Sequence, residues 1–226
     1  METVVVSLGG SVLAPGEPDA ESVKRLAAAL RDLSRTHRLF VVTGGGRIAR
    51  AYIEAGRALG ASEPSLDRLG IKVTRINARL LMAALGGAET DEMPHTIQDA
   101  VAAGSKSNLV VMGGTTPGHT TDTVAAELAE AVRAARLVNA TSVDGVYTSD
   151  PARDPSARRV DRASHEELVR LVGESHTQAG PSIVFDPKAA RIIARARIPL
   201  AVVDGRDLVA VRAAISGQPF RGTLVS

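Results

Sequence analysis

The sequence contains no cysteine and no tryptophan, and only three phenylalanines and two tyrosines among its 226 residues. Without cysteine the chain has no disulfide, no thiolate metal site and no thiol nucleophile. So few aromatic side chains leave almost no stacking platform for the bases of single-stranded nucleic acid. We therefore expect a cytoplasmic protein that does not bind nucleic acid.

The sequence also lacks a strong charge imbalance and a long apolar run. Its 27 Lys and Arg residues nearly balance its 25 Asp and Glu residues, so no basic patch is indicated. The N-terminal run is short and broken by glycines, unlike a signal peptide, and no run approaches the length of a membrane span. With 44% hydrophobic residues, the chain is expected to fold as one soluble domain without membrane contact.

Five short apolar runs rich in β-branched residues predict strands. They cover residues 4–8, 39–43, 109–112, 137–140 and 200–203. Helical patterns rich in Ala, Leu, Arg and Glu separate them. Continuous apolar strands alternating with helices are typical of a mostly parallel sheet covered on both faces. The predicted fold class is therefore α/β, a three-layer α/β/α sandwich over residues 1–226.

Capping residues and helical spacing predict where several helices lie. Asp19 is a good N-cap for a first helix, and Asp186 followed by proline opens another over 188–197. Residues 164–167 resemble a capping box, residues 124–135 are predicted to be helical, and residues 149–162 are predicted to be a loop. The helical stretch 65–85 places Leu66, Leu69, Val73, Ile76, Leu80 and Leu81 on one apolar face.

Three glycine-rich turns directly follow three of the predicted strands. They are Gly9-Gly10-Ser11, Gly44-Gly45-Gly46 and the segment GGTTPGHTTD over residues 113–122. Glycine lets backbone N–H groups approach an anion, and a following helix adds the partial positive charge of its N-terminus. Ligands of such sheets sit beyond the carboxyl ends of the strands. The turns are therefore expected to converge there and to hold a large polyanion or two phosphorylated ligands.

The second turn satisfies the dinucleotide fingerprint G-x-G-x-x-A, with Ala49 as its last residue. The fingerprint normally opens the first βα unit and has an acidic residue about 20 positions later. Here the turn is the second, and Glu63 in a predicted loop is a poor candidate for that acid. An NAD-dependent oxidoreductase stays open but is disfavoured. A Walker-type phosphate loop is absent, because no glycine directly precedes a Lys-Ser or Lys-Thr pair.

The segment at 113–122 carries the strongest functional signal, because it combines three glycines with four threonines and one acid. Asp122 has an alternative role as a helix N-cap. The segment NATSVDGVYTSDP over residues 139–151 follows a predicted strand and fits the rim of a nucleoside site. A simple tight turn explains Asp144 and Gly145 equally well.

In this order, the strand-GGS, strand-GGG, GGTTPGHTTD and DGVYTSDP motifs resemble the amino acid kinase superfamily, most closely its archaeal type of uridylate (UMP) kinase. The resemblance covers essentially the whole chain, including residues 70–81 and 186–198. It implies transfer of the ATP γ-phosphoryl group to UMP in pyrimidine nucleotide biosynthesis, with Mg²⁺ held by the nucleotide phosphates and no metal site in the protein. It also implies a homohexamer, with residues 1–120 serving the acceptor nucleotide and residues 121–226 serving ATP.

The same resemblance assigns site residues. The catalytic residues it implies are Asp122, Lys188 and Ser11. The ATP-binding residues it implies are Gly9, Gly10, Ser11, Gly45, Arg50, Thr141, Ser142, Tyr147 and Asp150. The UMP-binding residues it implies are Gly44, Asp67, Gly114, Thr115, Thr116, Pro117, Gly118, His119 and Thr120. Asp67 can also be a solvated acid on a helix face, Lys188 an exposed lysine of a first helical turn, and His119 a residue that shapes its loop.

The chain departs from the superfamily pattern at Ser7, where many members carry a lysine. A short neutral hydroxyl cannot stabilise transition-state charge similarly, so the charge has to come from Mg²⁺, backbone N–H groups or another cation such as Lys188. Ser142 stands where close relatives tend to have Asn, and both side chains can hydrogen-bond a nucleotide. Two rival functions stay open: a kinase of this fold with acetylglutamate or a phosphate ester as acceptor, and a non-catalytic nucleotide sensor.

Overall fold

A computed structural model describes residues 1–16, 18–86, 92–149, 154–174 and 185–226. The strands in these ranges are β1 (Glu2–Leu8), β2 (His37–Thr43), β3 (Leu109–Met112), β4 (Arg136–Thr141), β5 (Val146–Tyr147), β6 (Arg159–Val160), β7 (Arg162–Ala163), β8 (Leu200–Asp204) and β9 (Thr223–Val225). The helices are α1 (Gly10–Leu13), α2 (Ala20–Leu33), α3 (Gly46–Ala58), α4 (Glu63–Ala84), α5 (Ile97–Gly104), α6 (Thr121–Ala131), α7 (His165–Glu174), α8 (Pro187–Ala196) and α9 (Leu208–Ile215).

The central sheet has the strand order β3-β2-β1-β4-β8-β9-β7. Its first five strands in that order are parallel to their neighbours, whereas β9 runs antiparallel to β8 and parallel to β7. A separate antiparallel pair joins β5 to β6. Each of the five predicted strands lies within an observed one, and the mostly parallel sheet is confirmed.

Helices cover both faces of the sheet, as the side chains of β1 show. Val4, Val6 and Leu8 join one hydrophobic cluster with residues of α2, α4 and α9. Val5 joins the other cluster with residues of α5, α6, α7 and α8. Because successive side chains of a strand point to opposite faces, Ser7 shares the face of Val5 and points towards α6. The predicted three-layer α/β/α sandwich is confirmed.

Side-chain caps fix the starts of the helices near the site. Asp19 accepts from two backbone N–H groups of α2, and Asp186 does the same for α8, as predicted. The predicted capping box before α7 is present, since Ser164 and Glu167 exchange two hydrogen bonds. The N-cap of α6 is Thr120, so the alternative role of Asp122 as an N-cap is wrong and the helix starts earlier than predicted.

Two predictions about the periphery are wrong. Ile76, placed on the apolar face of α4, is 65% exposed, because the buried stripe of α4 follows Leu66, Val73 and Leu81. The predicted loop at 149–162 contains β6, whose two residues pair with β5 and are too few to show an alternating pattern. In the described part of the chain, no helix combines the length and apolarity that crossing a membrane requires.

Candidate active site

The first two glycine turns touch each other beyond the carboxyl ends of β1 and β2. The Gly44 N–H donates to the Leu8 carbonyl at 2.8 Å. A Cβ atom on Gly10 would lie 2.2 Å from the Gly46 nitrogen, so any side chain there would collide with backbone. Gly46 also has φ of +63°, a left-handed conformation that favours glycine. The glycines of both turns therefore have a packing role beside their predicted contacts with nucleotide.

Polar side chains of α4 hold the second and third turns. The Asn77 amide donates to the Gly44 carbonyl at 2.7 Å, and the Gly114 N–H donates to Thr74 Oγ1 at 2.7 Å. Arg75 Nε donates to the Gly114 carbonyl at 3.1 Å. The family resemblance includes the segment 70–81 but gives none of these three residues a role. The available signal was the polar character of positions 74 and 77 beside a buried stripe, since buried polar side chains need partners.

The third turn is fastened at both sides. The Gly118 N–H donates to Asp67 Oδ2 at 2.8 Å. The Thr120 hydroxyl donates to Asp186 Oδ2 at 2.5 Å. Asp67 lies in α4 and Asp186 caps α8, so the turn links helices on opposite faces of the sheet. Asp67 is therefore more than a solvent-exposed acid on a helix face, because it holds the loop that is predicted to bind UMP.

Ser7, which is buried, and Asp122, which is half-buried, form a polar pair below the first turn. Ser7 is 2% exposed, and its hydroxyl donates to Asp122 Oδ1 at 2.7 Å. Burial raises the pKa of Asp122 to about 6, opposed by the hydrogen bond from Ser7; the Asp186 carboxylate raises it and a hydrogen bond from the Asp186 backbone lowers it. The serine that replaces a lysine is thus the partner of the candidate catalytic acid. The two residues lie 115 positions apart, so no local pattern connects them.

Lys188 reaches the third turn from the first turn of α8. Its Nζ lies 2.8 Å from His119 Nε2. On the other side of the ring, His119 Nδ1 lies 3.3 Å from Glu127 Oε1 of α6. Within the described ranges, no cluster of three or more His, Asp or Glu side chains could hold a metal ion. His119 is therefore placed between a cation and a carboxylate.

Apart from the region of the glycine turns, a cleft of about 390 Å³ opens beyond β4 and β8 and is called the second cleft below. Its volume lies in the range of ligand pockets. Ser142, Asp144, Tyr147, Arg206 and Arg221 contribute to its lining. The predicted ATP-binding residues Ser142 and Tyr147 therefore share a concave surface.

Asp144 is the centre of a hydrogen-bond network in this cleft. It accepts from the Tyr147 hydroxyl at 2.7 Å, and from Arg159 and Arg221, both at 3.0 Å. The Tyr147 hydrogen bond first, and then those from Arg221 and Arg159, hold the pKa of Asp144 below its usual value despite burial. Two guanidinium groups thus hold one carboxylate, and Arg159 also pairs with Asp161 at 2.8 Å. Asp144 therefore does more than form a tight turn.

The structure divides the predicted site residues between these two regions. The predicted UMP-binding residues lie at the second and third turns, except Asp67, which lies in α4. Asp122 lies where the third turn enters α6, Lys188 lies in α8, and Gly9, Gly10, Ser11 and Gly45 lie at the first two turns. Thr141 ends β4 beside the second cleft. Arg50 is exposed on α3, where its contact with nucleotide stays a prediction. Asp150 lies outside the described residues.

Comparisons with known proteins place the chain among phosphotransferases. The model of the amino acid kinase family matches residues 2–204. A uridylate kinase of Methanothrix thermoacetophila is 49% identical over 214 residues, covering 95% of each chain. One from Methanosarcina acetivorans is 50% identical over 204 residues, covering 90% of this chain and 87% of that one. The crystal structure of uridylate kinase from Archaeoglobus fulgidus is 41% identical, with a TM-score of 0.89 and 100% coverage of both chains.

Proposed function

The chain belongs to the amino acid kinase family, within its archaeal uridylate kinases, and on this premise we propose that it transfers the γ-phosphoryl group of ATP to UMP. The products are UDP and ADP, and the step serves pyrimidine nucleotide biosynthesis. One observation supports this most: two candidate ligand regions lie beyond the carboxyl ends of the same sheet. The glycine turns follow β1, β2 and β3, and the second cleft, which is lined by two arginines and three aspartates among other residues, follows β4 and β8. Two facing nucleotides explain both regions.

The reaction needs little covalent help from the protein. A phosphate oxygen of UMP attacks the γ-phosphorus, and the bond to the oxygen bridging the β- and γ-phosphorus atoms breaks. Because that attacking oxygen is already anionic, no general base is required. Catalysis then consists of positioning and of positive charge around the transferring group. We assign that charge to backbone N–H groups of the turns, with Ser11 beside them, and to Lys188.

Asp122 is assigned an organising role. It accepts hydrogen bonds from Ser7, at the end of β1, and from the backbone of Asp186, before α8. A single carboxylate therefore links the strand that leads into the first glycine turn with the helix that carries Lys188. With a pKa of about 6, this carboxyl is mostly ionised at neutral pH and keeps both hydrogen bonds.

We propose that Mg²⁺ enters the site on the nucleotide. This ion usually keeps several waters and binds through substrate phosphates and one or two carboxylates. When bound, the ion neutralises charge on the β- and γ-phosphates.

We further propose that residues 1–120 serve UMP and residues 121–226 serve ATP, in a homohexamer located in the cytoplasm. The placement of Asp67 and of the third turn supports the first assignment, and that of Ser142 and Tyr147 supports the second. The lack of cysteine fits a reducing compartment. Light scattering of the purified chain measures its assembly state.

A coupled assay of ADP release tests the function, with UMP, CMP, dUMP and acetylglutamate as acceptors. We expect UMP to be the preferred acceptor. Lys188→Ala is expected to lower kcat about 100-fold while both KM values stay within about threefold. Lys24→Ala is the matched control, because Lys24 is exposed on α2 and pairs only with Glu21 among the described contacts.

Two results would contradict the proposal. Turnover with acetylglutamate alone would show a different acceptor. Binding of both ATP and UMP without UDP formation in the presence of Mg²⁺ would show a nucleotide sensor that has lost the chemistry.

A further inference from the structure

The contact between Lys188 and His119 determines which ring nitrogen carries the proton. Lys188 Nζ and His119 Nε2 are 2.8 Å apart. A lysine ammonium can only donate hydrogen bonds, so Nε2 has to accept. In a neutral imidazole the proton then sits on Nδ1. The geometry therefore requires the Nδ1–H tautomer of His119 whenever the two side chains are in contact.

Glu127 favours the same tautomer from the other side of the ring. His119 Nδ1 is buried and makes no hydrogen bond within the described ranges, but Glu127 Oε1 lies 3.3 Å away. The carboxylate is only 30% exposed and the histidine side chain 28%, so solvent screens their attraction only partly. A carboxylate facing an imidazole N–H is a common way to fix a ring's tautomer and orientation.

The backbone around His119 is held on both sides, so the ring has a defined place. On one side the Gly118 N–H donates to Asp67, and on the other the Thr120 hydroxyl donates to Asp186. Glu127 lies in the regular part of α6. Lys188, in contrast, is an exposed side chain with a long flexible stem. A fixed acceptor next to a flexible cation limits where the cation can be.

We propose that His119 is a positioning residue for Lys188, and that Glu127 sets the tautomer that lets it act. The hypothesis from the sequence treated His119 as a residue of the UMP loop. In this proposal the ring acts on the reaction through the lysine. The inference rests on the proposed function, because it assumes that Lys188 stabilises the transferring phosphoryl group.

Two substitutions at the same position separate the two ring nitrogens. In His119→Gln the side-chain amide reaches about as far as Nε2 and can offer its oxygen to Lys188. In His119→Asn the amide ends near the position of Nδ1 and leaves Lys188 without an acceptor. We expect His119→Asn to lower kcat about 10- to 100-fold with both KM values within about threefold, and His119→Gln to stay within about threefold of the original kcat.

Variants in α6 and α8 test whether Glu127 supports His119 and whether His119 acts through Lys188. Glu127→Gln is expected to lower kcat about two- to fivefold. Glu130→Gln is the control on the same helix and is expected to leave kcat unchanged, because Glu130 pairs with the exposed Arg195 of α8. In a Lys188→Ala background, His119→Asn is expected to have no further effect, because a residue that acts through the lysine has nothing left to position.

The tautomer can be measured without turnover. Long-range ¹H–¹⁵N spectra of the unmodified chain, with the His119 signal assigned by its loss in His119→Gln, are expected to show the Nδ1–H form. The Nε2–H form would overturn the inference. So would a raised KM for UMP with unchanged kcat in His119→Asn. A third contradicting result would be a further fall in kcat, as large as in the original chain, when His119→Asn is added to Lys188→Ala. Absence of UDP formation by the unmodified chain would overturn the proposed function instead and leave the tautomer result standing.

Discussion

Replacing Asp122 by asparagine should stabilise the fold while it removes activity. The Asp122 carboxyl has its pKa raised from 3.8 to about 6, mainly by burial. At 1.36 kcal/mol per unit, its ionised form costs the folded state about 3 kcal/mol at neutral pH. Asparagine has the same shape and no charge, and its oxygen can still accept from Ser7. Its NH₂ group cannot accept from the Asp186 backbone, so the expected gain is about 1 to 3 kcal/mol.

The pH dependence follows from the direction of the shift. Between pH 3.8 and about 6, the folded chain binds more protons at this site than the unfolded chain does. The stability of the original chain therefore falls as pH rises through this window, whereas the asparagine variant has no such dependence. The advantage of Asp122→Asn should be largest at pH 8 and about 1 to 1.5 kcal/mol smaller at pH 5.

Urea unfolding at pH 8 and pH 5 measures this difference, at one fixed protein concentration because assembly also affects stability. Glu54→Gln, at an exposed position of α3, is the control and should show no comparable pH-dependent gain. The same Asp122→Asn protein should lose kcat about 100-fold with little change in nucleotide affinity. The burial argument would be refuted if Asp122→Asn were less stable than the original chain at pH 8. It would also be refuted if the variant gained the same free energy of unfolding at both pH values.

Three further predictions concern the turns and the second cleft. Gly10→Ala should lower the free energy of unfolding by about 2 kcal/mol or more, because its Cβ would meet backbone, whereas Gly16→Ala meets nothing within 4 Å and should be neutral in the same urea titration. Asp67→Ala should raise the KM for UMP about tenfold at unchanged kcat, since its partner loop is released; a fall in kcat alone would contradict this. Asp144→Ala should raise the KM for ATP about tenfold in initial-rate kinetics and leave the KM for UMP unchanged, because Tyr147 and Arg221 lose the carboxylate that holds them; equal changes for both nucleotides would argue against separate binding regions.

The fold was predictable where one residue pattern decides the structure. Strands buried on both faces have to be continuously apolar, and this is why β1, β2, β3, β4 and β8 could be located from hydrophobicity. Asp19 and Asp186 could be assigned as caps because a short acidic side chain before a helix has few other uses. Two-residue strands such as β5 and β6 carry no periodic signal. The exposure of Ile76 depends on the width of the buried stripe of α4, which neighbouring elements determine.

The site was predictable in its location but not in its contacts. The glycine turns identify the edge of the sheet, because backbone conformation limits which residues can stand there. The bond between Ser7 and Asp122 depends on which face of β1 meets α6, and the contact of Lys188 with His119 depends on how α8 lies against the third turn. These contacts depend on packing between segments far apart in the chain, so a local sequence motif cannot predict them.

The contact between the first two glycine turns has a mechanical consequence. Where side chains separate two loops, a change of rotamer can absorb a small displacement of one of them. Gly10 and Gly46 meet through backbone atoms alone, so neither has a side chain that could yield. A shift imposed on one turn by its ligand must then be passed on to the other, because packed backbone does not compress. On the proposed assignment of Gly10 to ATP and of Gly44 to UMP, binding of one nucleotide is expected to shift the turn that holds the other.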